Sequence, residues 1–237
     1  MSEKIITRAI ILRRVAYGEA DWIVTFFSRD HGRMTGMAKS ARKSIKRFGS
    51  GLEPGAIAQV MFTAHPRSDL VRLEESSVVV STTKIMGSLE RIEAMSRAVR
   101  LALSFLKDHQ SAVDKFDLLE NYLTLVGQTD PQAAMRYSFE LKWLKYAGYE
   151  PMLASCVSCG CAEEGDAGFS FHGGGMVCRD CGQTQQSAYP LPKQMRETIA
   201  NLLTSPLEVA TAVDNESPIA ALLERYTAYI LEHNFHH

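Results

Sequence analysis

Two pairs of cysteines have the residue type and the spacing of metal ligands. Two residues separate the cysteines within each pair, and eighteen residues separate the pairs. One tight turn can direct both sulfurs of a pair at a single ion, and a hairpin between the pairs can bring the second turn opposite the first. The four residues are Cys156, Cys159, Cys178 and Cys181. Because four thiolates complete a tetrahedral shell, the spacing predicts a structural Zn²⁺ site with no position left for a catalytic water.

The residues around the cysteines bear on the alternatives, which are two disulfides, a metal-free remnant and an iron centre. Gly160 and Gly182 directly follow the two pairs, and a turn that wraps its amides around a thiolate often needs a residue that tolerates positive φ. The first residues do not form a secretory leader, and a reducing cytosol disfavours disulfides. Cys161 is left over. We interpret it as a spare thiol, with substitution for a ligand by a register slip as the alternative.

The composition is that of a globular protein. Hydrophobic residues make up 46% of the 237 residues and charged residues 22%, which excludes disorder, collagen or a coiled coil as a description of the whole chain. No apolar run reaches the roughly 18–20 residues of a membrane span. We therefore expect a cytoplasmic protein without a membrane partner, and we assign no role to His236 and His237.

Charge is distributed unevenly along the chain. Residues 1–80 contain thirteen Lys and Arg against eight Asp and Glu, a net charge of +5, whereas the remainder carries thirteen against nineteen, a net charge of −6. A basic first part joined to an acidic second part is typical of a protein whose first part meets a polyanion. Uneven solvation without a ligand is the alternative.

The first eighty residues predict a small β-barrel. Five segments rich in Val, Ile, Phe and Thr are bounded by turn residues. They are Ile5–Arg14, Trp22–Ser28, Arg33–Lys39, Ala56–Ala64 and Leu70–Val80. A flat five-stranded sheet would leave edges unpaired, so closure is favoured. The frequent five-stranded solution is the OB fold, whose surface and loops commonly bind oligonucleotides.

From about residue 82 the hydrophobic period changes to that of helices. Five apolar stripes predict five helices, and the cysteine pairs interrupt them. The stripes are Leu89, Ile92, Val99, Leu103 and Leu106; Phe116, Leu119, Leu123 and Val126; Met135, Phe139, Trp143 and Tyr146; Met195, Ile199, Leu202 and Leu203; and Ile219, Leu222, Leu223, Tyr226 and Ile230. We predict a multidomain α+β protein: an OB-fold barrel over 1–81 and a helical domain over 82–237, with a four-cysteine zinc module inserted at about 154–184.

A basic loop follows the third predicted strand. Five cations fall within nine residues, without an acidic residue among them, and they are Lys39, Arg42, Lys43, Lys46 and Arg47. Such a run attracts a phosphate backbone without reading its sequence. Phe48 is predicted to offer a face for base stacking. Arg13, Arg14, Arg29 and Arg33 are predicted to extend the patch if their strands present that face. A solvated charged loop is the alternative reading.

The order of these motifs resembles the bacterial RecO family over nearly the whole chain. The resemblance rests on Tyr17–Thr25, His31-Gly32-Arg33, Ala38-Lys39 with the basic loop through Phe48, Leu52-Glu53-Pro54, and the two CxxCG motifs in a helical context. Two residues depart from the family pattern: Ser40 stands where a glycine is expected, and Lys46 stands where a serine is expected.

The resemblance implies a DNA-binding recombination mediator in DNA repair, without a catalytic centre. Members of the family bind single- and double-stranded DNA and anneal complementary strands. They contact the C-terminal tail of single-stranded DNA-binding protein, and with RecR they help to load RecA onto coated single strands. The resemblance therefore implies these partners, a nucleoid-associated location in the cytoplasm, and a structural role for Zn²⁺.

The alternative function is a zinc-ribbon nucleic-acid-processing enzyme, such as a nuclease or a deaminase. The sequence contains no HxE ahead of a PCxxC motif, no GxxxxGK[ST] motif and no HExxH motif. Acidic pairs such as Glu74-Glu75 are typical of solvated faces. We therefore predict that the protein is not an enzyme.

Overall fold

The computed structural model describes residues 4–65, 68–184, 188–209, 213 and 217–234. His236 and His237 lie outside these ranges, as do Pro66 and Arg67 between the fourth and fifth predicted strands. The chain divides into two compact units, 1–131 and 132–237. The last barrel strand ends at Val80, and the division into domains over 1–81 and 82–237 stays a prediction.

The first unit contains a closed five-stranded barrel, as the sequence predicts. The strands are β1 (Lys4–Tyr17), β2 (Asp21–Ser28), β3 (Gly32–Ala38), β4 (Ile57–His65) and β5 (Ser68–Val80). Their order is β1-β2-β3-β5-β4, and β1 closes the barrel by pairing with β4. Strands β3 and β5 pair in parallel. This order is that of the OB fold, and it gives each of the five strands a neighbour on both sides.

Buried and more exposed side chains alternate along the strands, and the buried ones fill the barrel interior. In β3 every second residue is buried, and the core includes Phe26, Val60, Phe62 and Leu73. The turn before β3 requires Gly32, which has a φ of +74°. A Cβ at this position would overlap the backbone of Gln110, so the turn accepts only glycine for reasons of both conformation and space.

Two helices complete the first unit. They are α2 (Leu89–Phe105) and α3 (Val113–Gln128), and a short helix, α1 (Ile45–Phe48), lies between β3 and β4. The predicted face of α3 is confirmed, since all four of its residues are buried. The predicted face of α2 is partly wrong. Leu89 is 67% exposed, and three of the six buried residues of the helix are alanines, namely Ala94, Ala98 and Ala102.

In its described residues, the second unit combines four α-helices with a three-stranded sheet. The elements are α4 (Ala133–Tyr146), β6 (Ala167–Ser170), β7 (Gly175–Val177), α5 (Arg179–Thr184), β8 (Tyr189–Leu191), α6 (Lys193–Thr204) and α7 (Pro218–Asn234). The sheet order is β7-β6-β8. The five predicted core residues of α7 are all buried.

Helix α4 satisfies polar groups at the end of α6. The buried Ser138 hydroxyl donates to the carbonyl of Leu202 at 2.7 Å, and the Lys142 ammonium donates to the carbonyls of Leu203 and Ser205 at 2.9 and 2.7 Å. The last carbonyls of a helix lack partners within it, so these bonds fix α6 against α4. Within the described ranges, no helix combines the length and the apolar composition of a membrane span.

Candidate metal centre and nucleic-acid interface

The four predicted cysteine ligands converge at one place in the second unit. Strands β6 and β7 form the hairpin predicted between the two pairs. The first pair lies in a turn before β6, and the second pair lies at the start of α5. Each of the two turns contains a hydrogen bond of the same kind. In both, the amide four residues after the first cysteine of the pair donates to the carbonyl of that cysteine. The bonds are Gly160 to Cys156 and Gly182 to Cys178, both 2.8 Å.

The distances between the sulfurs fit tetrahedral coordination of one ion. All four Sγ atoms lie within 4.8 Å of one another, and those of Cys159 and Cys178 are 3.8 Å apart. Zn–S bonds of about 2.3 Å in a tetrahedron place sulfurs roughly 3.8 Å apart. All five cysteines of the chain are free, which disagrees with the disulfide alternative. Cys156 and Cys178 are buried, together with Val177, in a small apolar core.

Backbone amides favour the thiolate form at two of the four cysteines, Cys156 and Cys178, whereas side-chain hydrogen bonds with Cys178 and Cys159 raise the pKa of Cys181. Burial raises the pKa of Cys156, but amide hydrogen bonds from Cys178, Cys159 and Ser158 outweigh it and lower the pKa to about 6. A backbone hydrogen bond from Cys181 lowers the pKa of Cys178. Since the thiolate is the form that ligates a metal, the donor set fits a divalent cation that accepts sulfur ligands.

Cys161 lies beside the cluster. Its Sγ is 3.3 Å from the Sγ of Cys159, and its side chain is exposed. Its carbonyl accepts a hydrogen bond from the amide of Cys156 at 2.8 Å. The hydrogen bond with Cys159 raises the pKa of Cys161 to about 12. Its backbone therefore shapes the first turn, whereas its thiol lies outside the set of four converging sulfurs.

The basic loop, residues 39–51, has a defined conformation on the barrel. It consists of one 3₁₀ turn (Ala41–Lys43) followed by α1. The amide of Ser40 donates to Asp21 Oδ1 at 2.7 Å, and the amide of Arg42 donates to the carbonyl of Ala20 at 3.0 Å. Arg47 crosses the loop and donates to the carbonyl of Lys39 at 2.7 Å and to Ser44 Oγ at 3.0 Å.

The cations of the loop form no ion pair with an acidic side chain of the described residues. Among the ion pairs of the described residues, none involves Lys39, Arg42, Lys43, Lys46 or Arg47. The three lysines are exposed. Arg42 donates to the carbonyl of Glu19 at 3.2 Å and lies 5.7 Å from the ring centroid of Trp22. The loop therefore presents positive charge to the solvent.

Several other arginines of the first unit are paired with carboxylates. Arg8 contacts Glu120 at 2.6 Å, and Arg29 contacts Asp117 at 3.0 Å. Arg33, which we predicted to extend the basic patch, contacts Asp108 at 2.6 Å and donates to the carbonyl of Leu103 at 2.9 Å. It also lies at the start of β3, whereas the loop follows the end of that strand. The structure does not bring Arg33 to the loop.

The predicted role of Phe48 requires a correction. Its side chain is only 2% exposed and belongs to the barrel core, while the guanidinium of Arg47 lies 4.9 Å from its ring centroid. The ring is therefore not available to stack on a base. Instead, the loop exposes Ile45, which is 83% exposed. Sequence reasoning did not single out Ile45, although an aliphatic residue within a run of cations was a visible signal.

The fold and the two sites define a class of protein, in which a small OB-type barrel carries a basic loop and a helical region contains a four-cysteine module. Comparison with known families identifies the class. The family model described as Recombination protein O N terminal matches residues 1–82, and the one described as Recombination protein O C terminal matches residues 86–237. The chain belongs to the RecO family, a family of DNA repair proteins.

Individual relatives agree with the family assignment. The chain is 32% identical over 226 residues to the DNA repair protein RecO of Anaeromyxobacter dehalogenans (strain 2CP-C), a match that covers 95% of this chain and 89% of the relative. It is 34% identical over 184 residues to the DNA repair protein RecO of Myxococcus xanthus (strain DK1622), covering 78% and 75% of the two chains. It is 32% identical over 188 residues to that of Syntrophus aciditrophicus (strain SB), covering 78% and 73%.

Proposed function

We propose that this protein is a non-catalytic recombination mediator. It binds DNA, anneals complementary single strands, and helps to load RecA onto strands coated by single-stranded DNA-binding protein. RecR and the C-terminal tail of single-stranded DNA-binding protein are its proposed protein partners. Membership of a DNA repair family supports this function. The observation that carries the proposal is the exposed basic loop, whose cations form no ion pair with a described acidic residue.

The proposed phosphate contacts are Lys39, Arg42, Lys43, Lys46 and Arg47. The lysines are exposed and free to reorient, so we expect them to supply most of the charge neutralisation. Arg47 also holds the loop together through Lys39 and Ser44, and its replacement would disturb the loop itself. A test of DNA binding should therefore replace the lysines and leave both arginines in place.

Annealing follows physically from such a surface. Two complementary strands repel each other through their phosphates, and bound cations reduce this repulsion while the bases remain free to pair. The reaction needs proximity and charge neutralisation, and it requires neither a nucleophile nor a nucleotide.

We further propose that Cys156, Cys159, Cys178 and Cys181 bind a structural Zn²⁺. The convergence of the four sulfurs supports this assignment, and so does the amide donation that favours the thiolate at Cys156 and Cys178. Four protein ligands fill a tetrahedral shell, so the ion would stabilise the turns around the β6–β7 hairpin rather than activate water.

Annealing of complementary oligonucleotides, both coated with single-stranded DNA-binding protein, tests the proposed function. The loop-lysine variant combines Lys39→Ala, Lys43→Ala and Lys46→Ala. The control variant combines Lys84→Ala, Lys107→Ala and Lys193→Ala, which removes three exposed lysines on other elements and changes the net charge equally. We expect the native protein and the control variant to accelerate annealing without a nucleotide, and the loop-lysine variant to be at least about tenfold slower.

Two outcomes would contradict the proposal. If the native protein does not accelerate annealing, the mediator function is wrong for this chain. If the two triple variants are equally impaired, bulk charge rather than the basic loop determines the activity. Circular dichroism melting curves of all three proteins ensure that folded molecules are compared.

A further inference from the structure

Ile45 occupies an unusual position for an aliphatic side chain. At 83%, its exposed fraction is the largest among the large apolar side chains of the described residues. It lies between Lys43 and Lys46, and no acidic residue occurs in residues 39–51. A single exposed aliphatic residue is ordinary on a protein surface, but this one lies at the centre of a surface that is otherwise suited to a polyanion.

The structure holds Ile45 in place. Ile45 begins α1, and its carbonyl accepts a hydrogen bond from the amide of Gly49 at 2.8 Å. At the other end of α1, Phe48 is anchored in the barrel core. The segment before Ile45 is fixed because Arg47 donates to Ser44 Oγ at 3.0 Å. An apolar group that is already positioned loses little conformational entropy when it binds.

Trp22 is an aromatic side chain near the loop, and its surroundings differ from those of Ile45. The guanidinium groups of Arg14 and Arg42 lie 4.6 and 5.7 Å from its ring centroid, and the indole packs against the barrel core. A base would have to displace these groups to reach the indole. Ile45 can be reached without such a rearrangement.

We propose that Ile45 is a base contact of the basic loop, packing against the apolar face of unpaired nucleobases while the neighbouring lysines bind the adjoining phosphates. This inference rests on the proposed DNA binding by the loop. Aliphatic side chains, isoleucine among them, are known to insert between bases where a protein approaches the stack from a groove. In single-stranded DNA the base faces are already accessible, so the contact requires no unpairing. The surrounding cations favour a nucleic acid over an apolar protein partner.

The contact predicts a salt-independent contribution to binding. Ile45→Ala removes three carbon atoms and no charge, so we expect the affinity for a single-stranded oligonucleotide to fall about fivefold at every salt concentration. The slope of log affinity against log salt should stay that of the native protein, because the number of phosphates bound is unchanged. Ile45→Met should retain most of the affinity, because it preserves an apolar side chain of similar size.

Fluorescence anisotropy with labelled oligonucleotides measures these effects at salt concentrations from about 50 to 400 mM, the range over which phosphate contacts weaken. Leu89→Ala serves as the matched control, because Leu89 is an aliphatic residue outside the loop that is 67% exposed. We expect Leu89→Ala to bind as the native protein does. A blunt duplex of the same length should show less than a twofold effect of Ile45→Ala, because its bases are stacked on one another.

The outcomes separate this inference from the proposed function. If the loop-lysine variant loses binding but Ile45→Ala binds single strands as the native protein does, Ile45 is not a base contact and the proposed function stands. An equal loss on single strands and on duplex also overturns the base contact. If the loop-lysine variant binds like the native protein, the loop is not the DNA-binding surface, and the proposed DNA-binding role of the loop fails before the base contact does.

Discussion

The cysteine cluster and the basic loop differ in where their polar groups find partners. The four sulfurs of the cluster converge on one another, and two of the cysteines are buried. The cations of the loop form no ion pair with a described acidic group, whereas Arg8, Arg29 and Arg33 are each paired with a carboxylate. A site whose groups converge stabilises the chain that contains it. A site whose charges are left without ion-pair partners is available to another molecule.

The largest expected effect tests the cluster. Cys156→Ser combined with Cys178→Ser removes two thiolates from a four-ligand site, and we expect loss of bound Zn²⁺ and a decrease of more than about 3 kcal/mol in the free energy of unfolding. Metal analysis and urea denaturation check the two effects. The DNA affinity per folded molecule should change by less than about twofold.

A stable cysteine variant that cannot bind DNA would contradict this comparison. If the double variant has the same urea midpoint of unfolding as the native protein but loses DNA binding, the cluster takes part in binding rather than in stability. Binding is therefore measured below the onset of unfolding, with the folded fraction determined from the denaturation curve.

A smaller effect tests the paired arginines. Arg33→Ala removes the ion pair with Asp108 and the hydrogen bond to the carbonyl of Leu103, so we expect a loss of about 1 kcal/mol in the free energy of unfolding. DNA affinity should change by less than about twofold, because this guanidinium is already bound to Asp108 and to the carbonyl of Leu103. Thermal or urea denaturation and anisotropy measure the two quantities, and Asp108→Ala should produce a similar loss of stability.

A tenfold loss of DNA affinity in Arg33→Ala would contradict the expectation that the ion-paired Arg33 does not bind DNA. It would mean that the ion pair opens on binding and that Arg33 belongs to the interface. Asp108→Ala would then be expected to strengthen binding, since it releases the guanidinium.

The smallest effect concerns Cys161. Because its sulfur lies outside the converging set, Cys161→Ser should retain one Zn²⁺ per chain and change the free energy of unfolding by less than about 0.5 kcal/mol. Cys159→Ser, two residues away, is the matched control and should lose the metal. A zinc content well below one per chain in Cys161→Ser would show that the fifth thiol takes the place of one of the four ligands.

Local sequence signals predicted much of this architecture. All five barrel strands were placed from alternation and turn residues, because a half-buried strand and the turn that ends it are specified by neighbouring residues. The cysteine cluster was predicted for the same reason, since each pair lies within one turn. The hairpin between the pairs brings those turns together, as the spacing indicated.

The errors arose where the structure depends on distant residues. The buried face of α2 was predicted in part from large aliphatic residues, which favoured Leu89. The structure instead buries three alanines on that face, Ala94, Ala98 and Ala102. The ion pair of Arg33 could not be foreseen from local sequence, because its partner Asp108 lies 75 residues along the chain; its place in the basic patch stays a prediction. Phe48 was assigned to a binding surface because its burial in the barrel depends on how the loop folds back. Short β8 was not predicted at all.

The salt dependence of single-stranded DNA binding tests the central claim most directly, namely that the cations of the basic loop bind DNA. If about five phosphates are engaged, the native log–log slope should be near −3.5, which is roughly a hundredfold loss of affinity between 50 and 200 mM salt. The loop-lysine variant should show a slope smaller in magnitude by about 2, and the control variant should retain the native slope. A loop-lysine variant with the native slope and affinity would contradict the account, because the phosphates would then be bound elsewhere.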